Sequence, residues 1–260
     1  MTNKRIYLRS GRNEVYLDSY IIDDPLRRNR RRPAVLICPG GGYECCSSRE
    51  AEPIALAFNA AGFHAFVLYY TLKAVFPAAL KDLSDSVCIL RDNANPWLID
   101  SDKIIVCGFS AGGHLAASLG VFWNIEPKIK RADDKNRPNG LILGYPVITA
   151  GEFRHEGTIQ NITDNRTNLM EQVSLENHVS SDCPPTFIWH TFTDDVVPVE
   201  NSICFASALA EKKISTELHI FPSGGHGLSL SNLWVAESED RIVPEVQQWI
   251  DMAIRWVNNL

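Results

Sequence analysis

Gly108-Phe109-Ser110-Ala111-Gly112 is the stretch whose reading decides the fold. It follows Lys103-Ile104-Ile105-Val106-Cys107, a β-branched run that reads as a buried strand. One glycine later, His114-Leu115-Ala116-Ala117-Ser118-Leu119 reads as a helix. A strand, then Gly-x-Ser-x-Gly, then a helix is the context of a nucleophile elbow. Such a turn has no room for side chains beside the serine, so small residues flank it. The hydroxyl then stands at a helix N-terminus, clear of the backbone. Alone, the pentapeptide fits a glycine-rich helix start equally well. The rest of the machinery has to be found elsewhere in the chain.

Working outward, short apolar runs alternate with helical stretches. Ala34-Val35-Leu36-Ile37-Cys38 reads as a strand ending in Pro39-Gly40-Gly41-Gly42. A helix from Glu52 to Ala61 stops at Gly62, and Ala65 to Tyr70 is the next strand. Pro77 opens a helix through Leu80, Leu83, Val87 and Leu90. Strands follow at Gly140–Tyr145, Thr186–Trp189 and Glu217–Phe221, with a helix from Ile203 to Lys212 between the last two. One closing helix is expected from Glu245 to Val257, with Val246, Trp249, Ile250, Ala253, Ile254 and Val257 on one face. The alternation predicts an α/β fold, a mostly parallel central sheet with helices on both faces. Ile6-Tyr7-Leu8 and Val15-Tyr16-Leu17 flank Ser10-Gly11-Arg12-Asn13 and suggest an antiparallel hairpin at the sheet edge. An irregular insertion at about 149–184 reads as a short cap over the site, and residues 1–260 read as a single domain.

Composition narrows the function classes. With 45% hydrophobic and 22% charged residues, the chain is an ordinary globular sequence able to bury a core without metal or disulfide staples. A net charge of −6 argues against nucleic-acid and anionic-membrane partners. Arg27, Arg28, Arg30, Arg31 and Arg32 form a basic run, read as a solvated loop. No segment approaches the roughly 18 apolar residues of a membrane span, and the N-terminus lacks the apolar stretch of a secretory signal. Seven cysteines, several in apolar contexts (Cys38, Cys88, Cys107), read as free thiols in a reducing compartment, so a cytoplasmic location is expected. Cys45-Cys46 has no nearby zinc-ligand pattern, and no metal site is expected. Asn161-Ile162-Thr163 and Asn165-Arg166-Thr167 match glycosylation acceptors that a cytoplasmic chain would leave bare. Oligomeric state is not written in the sequence.

A serine needs a base to take its proton, and the base needs a carboxylate to fix its tautomer. On this architecture the order is serine, acid, histidine. His219 lies inside a strand and reads as structural. His226 sits in the loop Ser223-Gly224-Gly225-His226-Gly227, directly after that strand, and is the candidate base. The acid lies just past the strand Thr186–Trp189, where Asp194 and Asp195 both qualify on chemistry; one of the two could instead cap the next helix. Gly40-Gly41-Gly42 follows the third strand, where esterase-type folds place an oxyanion loop. The candidate donors are the N–H groups of Gly41, Gly42 and Ala111.

With these motifs in place, the chain resembles the α/β-hydrolases, in particular the small lipase/esterase branch called acetyl-xylan-esterase-like or hormone-sensitive-lipase-like. The resemblance rests on Pro39-Gly40-Gly41-Gly42-Tyr43, Arg49-Glu50-Ala51-Glu52-Pro53, Gly108 through His114, Thr193-Asp194-Asp195-Val196-Val197-Pro198 and Gly224-Gly225-His226-Gly227. The family's Gly-x-x-Asp-x-x-Val-Pro phase puts the acid on Asp194, with Thr191 where glycine would stand. The resemblance also implies a substrate-binding role for Tyr43, next to the glycines. Pro39 departs from the histidine of the wider lipase group and removes a polar anchor from the oxyanion loop. The implied function is hydrolysis of short-acyl esters, acetylated sugars among them, through an acyl-enzyme on Ser110, with no cofactor and a small-molecule ester as partner. Two other readings stand beside it. One is a kynurenine-formamidase-like amidase or serine exopeptidase on the same fold. The other is a non-catalytic binding module, which would generally have lost a triad member.

Overall fold

A computed structural model describes residues 1–11, 14–24 and 29–260. The strands are β1 (Thr2–Arg9), β2 (Val15–Ile21), β3 (Arg32–Cys38), β4 (His64–Tyr69), β5 (Ile99–Phe109), β6 (Gly140–Gly144), β7 (Thr186–Thr191) and β8 (Thr216–Phe221). They form one sheet in the order β1-β2-β4-β3-β5-β6-β7-β8. Pairings from β4 through β8 are parallel, while β1–β2 and β2–β4 are antiparallel. The expected edge hairpin is therefore present; Arg12 and Asn13 of its turn lie outside the described residues.

The helices are α1 (Glu52–Ala60), α2 (Ala78–Asp92), α3 (Ala94–Trp97), α4 (Ala111–Phe122), α5 (Glu156–Thr163), α6 (Thr167–Met170), α7 (Glu200–Glu211), α8 (Pro244–Gln247) and α9 (Trp249–Asn259). Side chains alternate across the sheet with the strand period of two. Ala34, Leu36 and Cys38 of β3 join one core with Leu83 and Val87 of α2, Leu115 of α4 and Phe205 of α7. Val35 and Ile37 join the opposite core with Ile54 and Phe58 of α1 and Trp249 and Val257 of α9. Both faces are covered, so the central strands read as near-continuous apolar runs.

Two expectations are corrected. The closing helix is two pieces, α8 and α9, broken at Gln248. Apolar spacing runs through the break, so periodicity could not mark it. The basic run is not a solvated loop throughout. Arg32 opens β3 and donates to the Gly62 carbonyl, and Arg31 bonds the Ile99 carbonyl and Asn95. Arg27 and Arg28 lie outside the described residues. Among the described residues no helix is long and apolar enough to cross a membrane.

The strand order reverses direction between β3 and β5. Loops leaving the C-terminal ends of these neighbours diverge there and open a crevice, the usual ligand position in open α/β sheets. The glycine loop follows β3 and Ser110 follows β5.

Candidate active site

The elbow is built by backbone crowding. A Cβ on Gly112 would come within 2.0 Å of the Cys38 carbonyl oxygen, and one on Gly108 within 2.1 Å of the Gly112 carbonyl oxygen. Only glycine lets β3, β5 and α4 approach this closely. Ser110 is held at φ 52° and ψ −120°, a strained conformation for a residue with a side chain. It is locked there: its N–H donates to Gly144, and its carbonyl accepts from Val147 and His114. Ala111 begins α4, so its N–H has no intrahelical acceptor and stands beside the hydroxyl.

The structure brings the three predicted residues into one line. Ser110 Oγ lies 2.8 Å from His226 Nε2, and His226 Nδ1 lies 2.8 Å from Asp194 Oδ2. With Nδ1–H donating to the carboxylate, Nε2 is left to accept the serine proton. Asp194 is buried, whereas Asp195 is exposed. The Oδ1 of Asp194 accepts from the N–H groups of Val196 and Val197, at 3.0 and 2.9 Å. Burial alone would raise this carboxyl's pKa. The bonds from His190 and His226, with the Val197 N–H, win and hold it well below the usual carboxylate range. Neither aspartate caps α7, whose N-cap is Val199.

Gly41 and Gly42 face the same cavity as Ser110 and His226, a space of about 590 Å³. Their φ values, 121° and 64°, are where a side chain is strained, and a Cβ on Gly41 would meet the Cys45 carbonyl oxygen at 2.5 Å. Tyr43 does not reach the cavity. Its ring is 3% exposed, packs edge-on against Tyr70, and donates from Oη to Nδ1 of His114 at 3.0 Å. A substrate contact for this ring is therefore corrected to a supporting one, because the chain bends at Tyr43 (φ 59°) and turns it inward.

His114 carries a consequence of its own. Nε2–H donates to the Val173 carbonyl, and burial lowers its pKa to about 4. In the unfolded chain a histidine titrates near about 6.5. The folded state thus binds fewer protons between these values. Its contribution is complete above the higher value and lost as pH falls toward the lower one. From pH 7 to pH 4 this group is expected to remove roughly 3 kcal/mol of stability. Urea unfolding across that range should show a flatter pH dependence in His114→Gln than in the parent.

Sequence reasoning missed the residues that hold the site together. Glu50 is 3% exposed, yet both its oxygens are used. Oε2 accepts from the Gly40 N–H at 2.7 Å and Oε1 from the Tyr145 hydroxyl at 2.6 Å. Tyr145 in turn accepts from the Ser229 N–H and packs edge-on against His226, ring centres 5.1 Å apart. One carboxylate thereby ties the glycine loop after β3 to the histidine loop. With Tyr70 Oη donating to the Pro39 carbonyl, it supplies the anchor expected to be missing at Pro39. Asn161 Nδ2 of α5 donates to the Gly42 carbonyl at 2.9 Å, and His155 lines the cavity. Glu50→Gln presents an amide N–H to one of the two donors Glu50 now satisfies. It is expected to lower kcat about a hundredfold by shifting the loop, with KM little changed; steady-state kinetics on a short ester measures this. Among the described residues, no group of three or more His, Cys, Asp or Glu is placed to ligate a metal.

The BD-FAE family model matches residues 20–209, most of the chain. The chain belongs to the BD-FAE family. It is an α/β-hydrolase of the esterase branch. Endo-1,4-beta-xylanase B of Butyrivibrio fibrisolvens is 40% identical over 228 residues, which are 83% of this chain and 35% of that protein. The acetylxylan esterase of Xylanibacter ruminicola is 30% identical over 86% of this chain and 46% of its own length. The chain thus spans less than half of these two curated relatives. Among solved structures, the acetyl ester-xyloside bifunctional hydrolase of Caldicellulosiruptor lactoaceticus superposes with a TM-score of 0.85 at 36% identity. That match covers 96% of this chain and 89% of the other.

Proposed function

We propose that this BD-FAE chain is a serine carboxylic-ester hydrolase for short-acyl, acetyl-type esters, sugar acetates among them, and that residues 1–260 act as one catalytic unit. The observation that carries the reading is the unbroken relay Asp194–His226–Ser110, 2.8 Å at each link, opening on a cavity flanked by Gly41 and Gly42. The names of the relatives support the acetyl preference. In this reading Ser110 Oγ attacks the ester carbonyl as its proton passes to His226 Nε2. The oxyanion is held by the N–H groups of Gly41, Gly42 and Ala111. The C–O bond to the alcohol breaks as His226 returns the proton to the leaving oxygen. Water, deprotonated by His226, then releases the acid from Ser110. One such donor is worth about 3 to 4 kcal/mol of barrier in comparable sites. Cys38 and Cys107, buried as free thiols in the sheet, support a cytoplasmic location.

The cavity wall bears on acyl length. Among its described residues, Val196 is the one branched aliphatic side chain; the others are glycines, serines, cysteines, two histidines and charged side chains. A long chain gains about 0.8 kcal/mol per methylene only where apolar surface receives it. kcat/KM on p-nitrophenyl esters from acetate to palmitate is therefore expected to peak between acetate and butyrate and fall steeply by octanoate. A maximum at decanoate or beyond would refute the short-acyl reading.

A further inference from the structure

We infer that the alcohol side of this site is built to receive a carboxylate, so that preferred esters carry an anionic group on the leaving alcohol, seated between Arg49 and Arg241. The inference rests on the esterase reading and specifies its substrate class.

Arg49 and Arg241 come from distant parts of the chain and line the same cavity as Ser110 and His226. Both are anchored to the histidine loop. The Arg49 carbonyl accepts from Ser229 Oγ at 2.5 Å, and Arg241 Nη1 donates to the His226 carbonyl at 2.7 Å. Their guanidiniums converge over one residue: a Cβ on Gly227 would lie 3.4 Å from Arg49 Nη2 and 4.0 Å from Arg241 Nη1. Their side chains are only 27% and 29% exposed, so the charges are partly shielded from water.

Glu237 already marks what this pair attracts. Its carboxylate lies 3.5 Å from Arg49 and 3.9 Å from Arg241. These separations are too long for good hydrogen bonds, and its side chain is 63% exposed. It is a loose internal occupant that a substrate carboxylate can displace. Of the other carboxylates nearby, Asp194 pairs with His226, the buried Glu50 accepts from the Gly40 N–H and the Tyr145 hydroxyl, and Asp240 feels the charge of Arg241. Glu237 therefore holds neither guanidinium tightly, and both guanidiniums line the cavity. Planar guanidiniums also match a carboxylate in a bidentate geometry that lysine cannot.

The position decides which half of the ester carries the charge. Both arginines flank the residue after His226, and His226 Nε2 hands its proton to the leaving oxygen. The anion therefore belongs to the alcohol. It takes no part in bond making or breaking.

The test compares kcat/KM within two pairs of probes. 3-Acetoxybenzoate and its methyl ester differ in charge on the alcohol. Monophenyl succinate and methyl phenyl succinate, followed by phenol release, differ in charge on the acyl group. At low ionic strength the first ratio, anionic over neutral, is expected to be about tenfold and to shrink in about 0.5 M salt. The second ratio should show no gain. Arg49→Gln should bring the first ratio near one, mainly through KM, with Arg49→Lys retaining part of it. Glu237→Gln, on an exposed side chain, should raise the ratio by removing the internal competitor. A parent ratio of one or less, or a ratio lowered by Glu237→Gln, would overturn the inference. A larger gain on the succinate pair would overturn the assignment to the alcohol. If neither member of either pair is hydrolysed, the esterase reading falls and takes this one with it; equal hydrolysis of both members sinks the anion site alone.

Discussion

Replacing Ser110 with alanine is expected to lower kcat for ester hydrolysis by on the order of 10⁶, leaving what binding and the oxyanion donors supply alone. The loss is that large because no other group can do its work. Ser110 Oγ is the atom 2.8 Å from His226 Nε2, presented by an elbow packed so closely that a Cβ on Gly108 or Gly112 would lie 2.1 or 2.0 Å from a backbone carbonyl oxygen. The fold should survive, since alanine meets the same φ of 52° and fills the same space less one oxygen. A fluorophosphonate probe should label the parent at Ser110 and leave the variant unlabelled. Substantial turnover by pure Ser110→Ala protein, with an unchanged thermal midpoint, would defeat the covalent mechanism.

Asp194→Asn is the second large effect, a loss of about 10⁴ in kcat. The amide can present N–H to His226 Nδ1, which favours the tautomer that puts hydrogen on Nε2 and leaves nothing to accept the serine proton. Asp195→Asn should stay near the parent, because that side chain points to solvent. If the Asp195 variant were the inactive one, the acid would be misassigned by one residue. Asp194 also contributes to the fold. Its carboxyl is held below the ordinary range, so its stabilisation is present above roughly pH 4 and is lost as pH falls through its folded value. The asparagine variant should therefore resist acid with less pH dependence, which unfolding midpoints measured between pH 5 and 3 would register.

How much was legible in the sequence follows from the range of the forces involved. The elbow, the glycine loop and the histidine loop each obey local rules, because each is a turn at a strand end where small residues are sterically required. Periodicity likewise placed the central strands and most helices. It failed at Gln248, where the apolar face continues although the hydrogen-bond ladder does not. The resemblance, not periodicity, misled at Tyr43, whose ring direction is set by a turn with φ 59°. The roles of Glu50, Tyr145 and Asn161 in the site left no local trace, although Glu50 lies in a stretch that carried the resemblance. Glu50 meets Tyr145 across 95 positions, and Asn161 meets Gly42 across 119. A buried carboxylate joining two loops looks, in one dimension, like any other acid near a helix start. Arg241 reaches His226 from a segment whose composition carries no sign of chemistry.

The bond from Asn161 to Gly42 also bears on the route by which the chain can be made. Asn161 heads an Asn-x-Thr acceptor, and Thr163 is buried with its hydroxyl on the Ile159 carbonyl. Once folded, the acceptor is closed to a glycosyltransferase. A chain threaded through a glycan-adding secretory pathway, however, would meet that enzyme while still extended. A sugar on Nδ2 would stand where α5 meets the glycine loop at Gly42. Material from such a host should carry a glycan and a crippled site, and Asn161→Gln made there should recover what the parent loses.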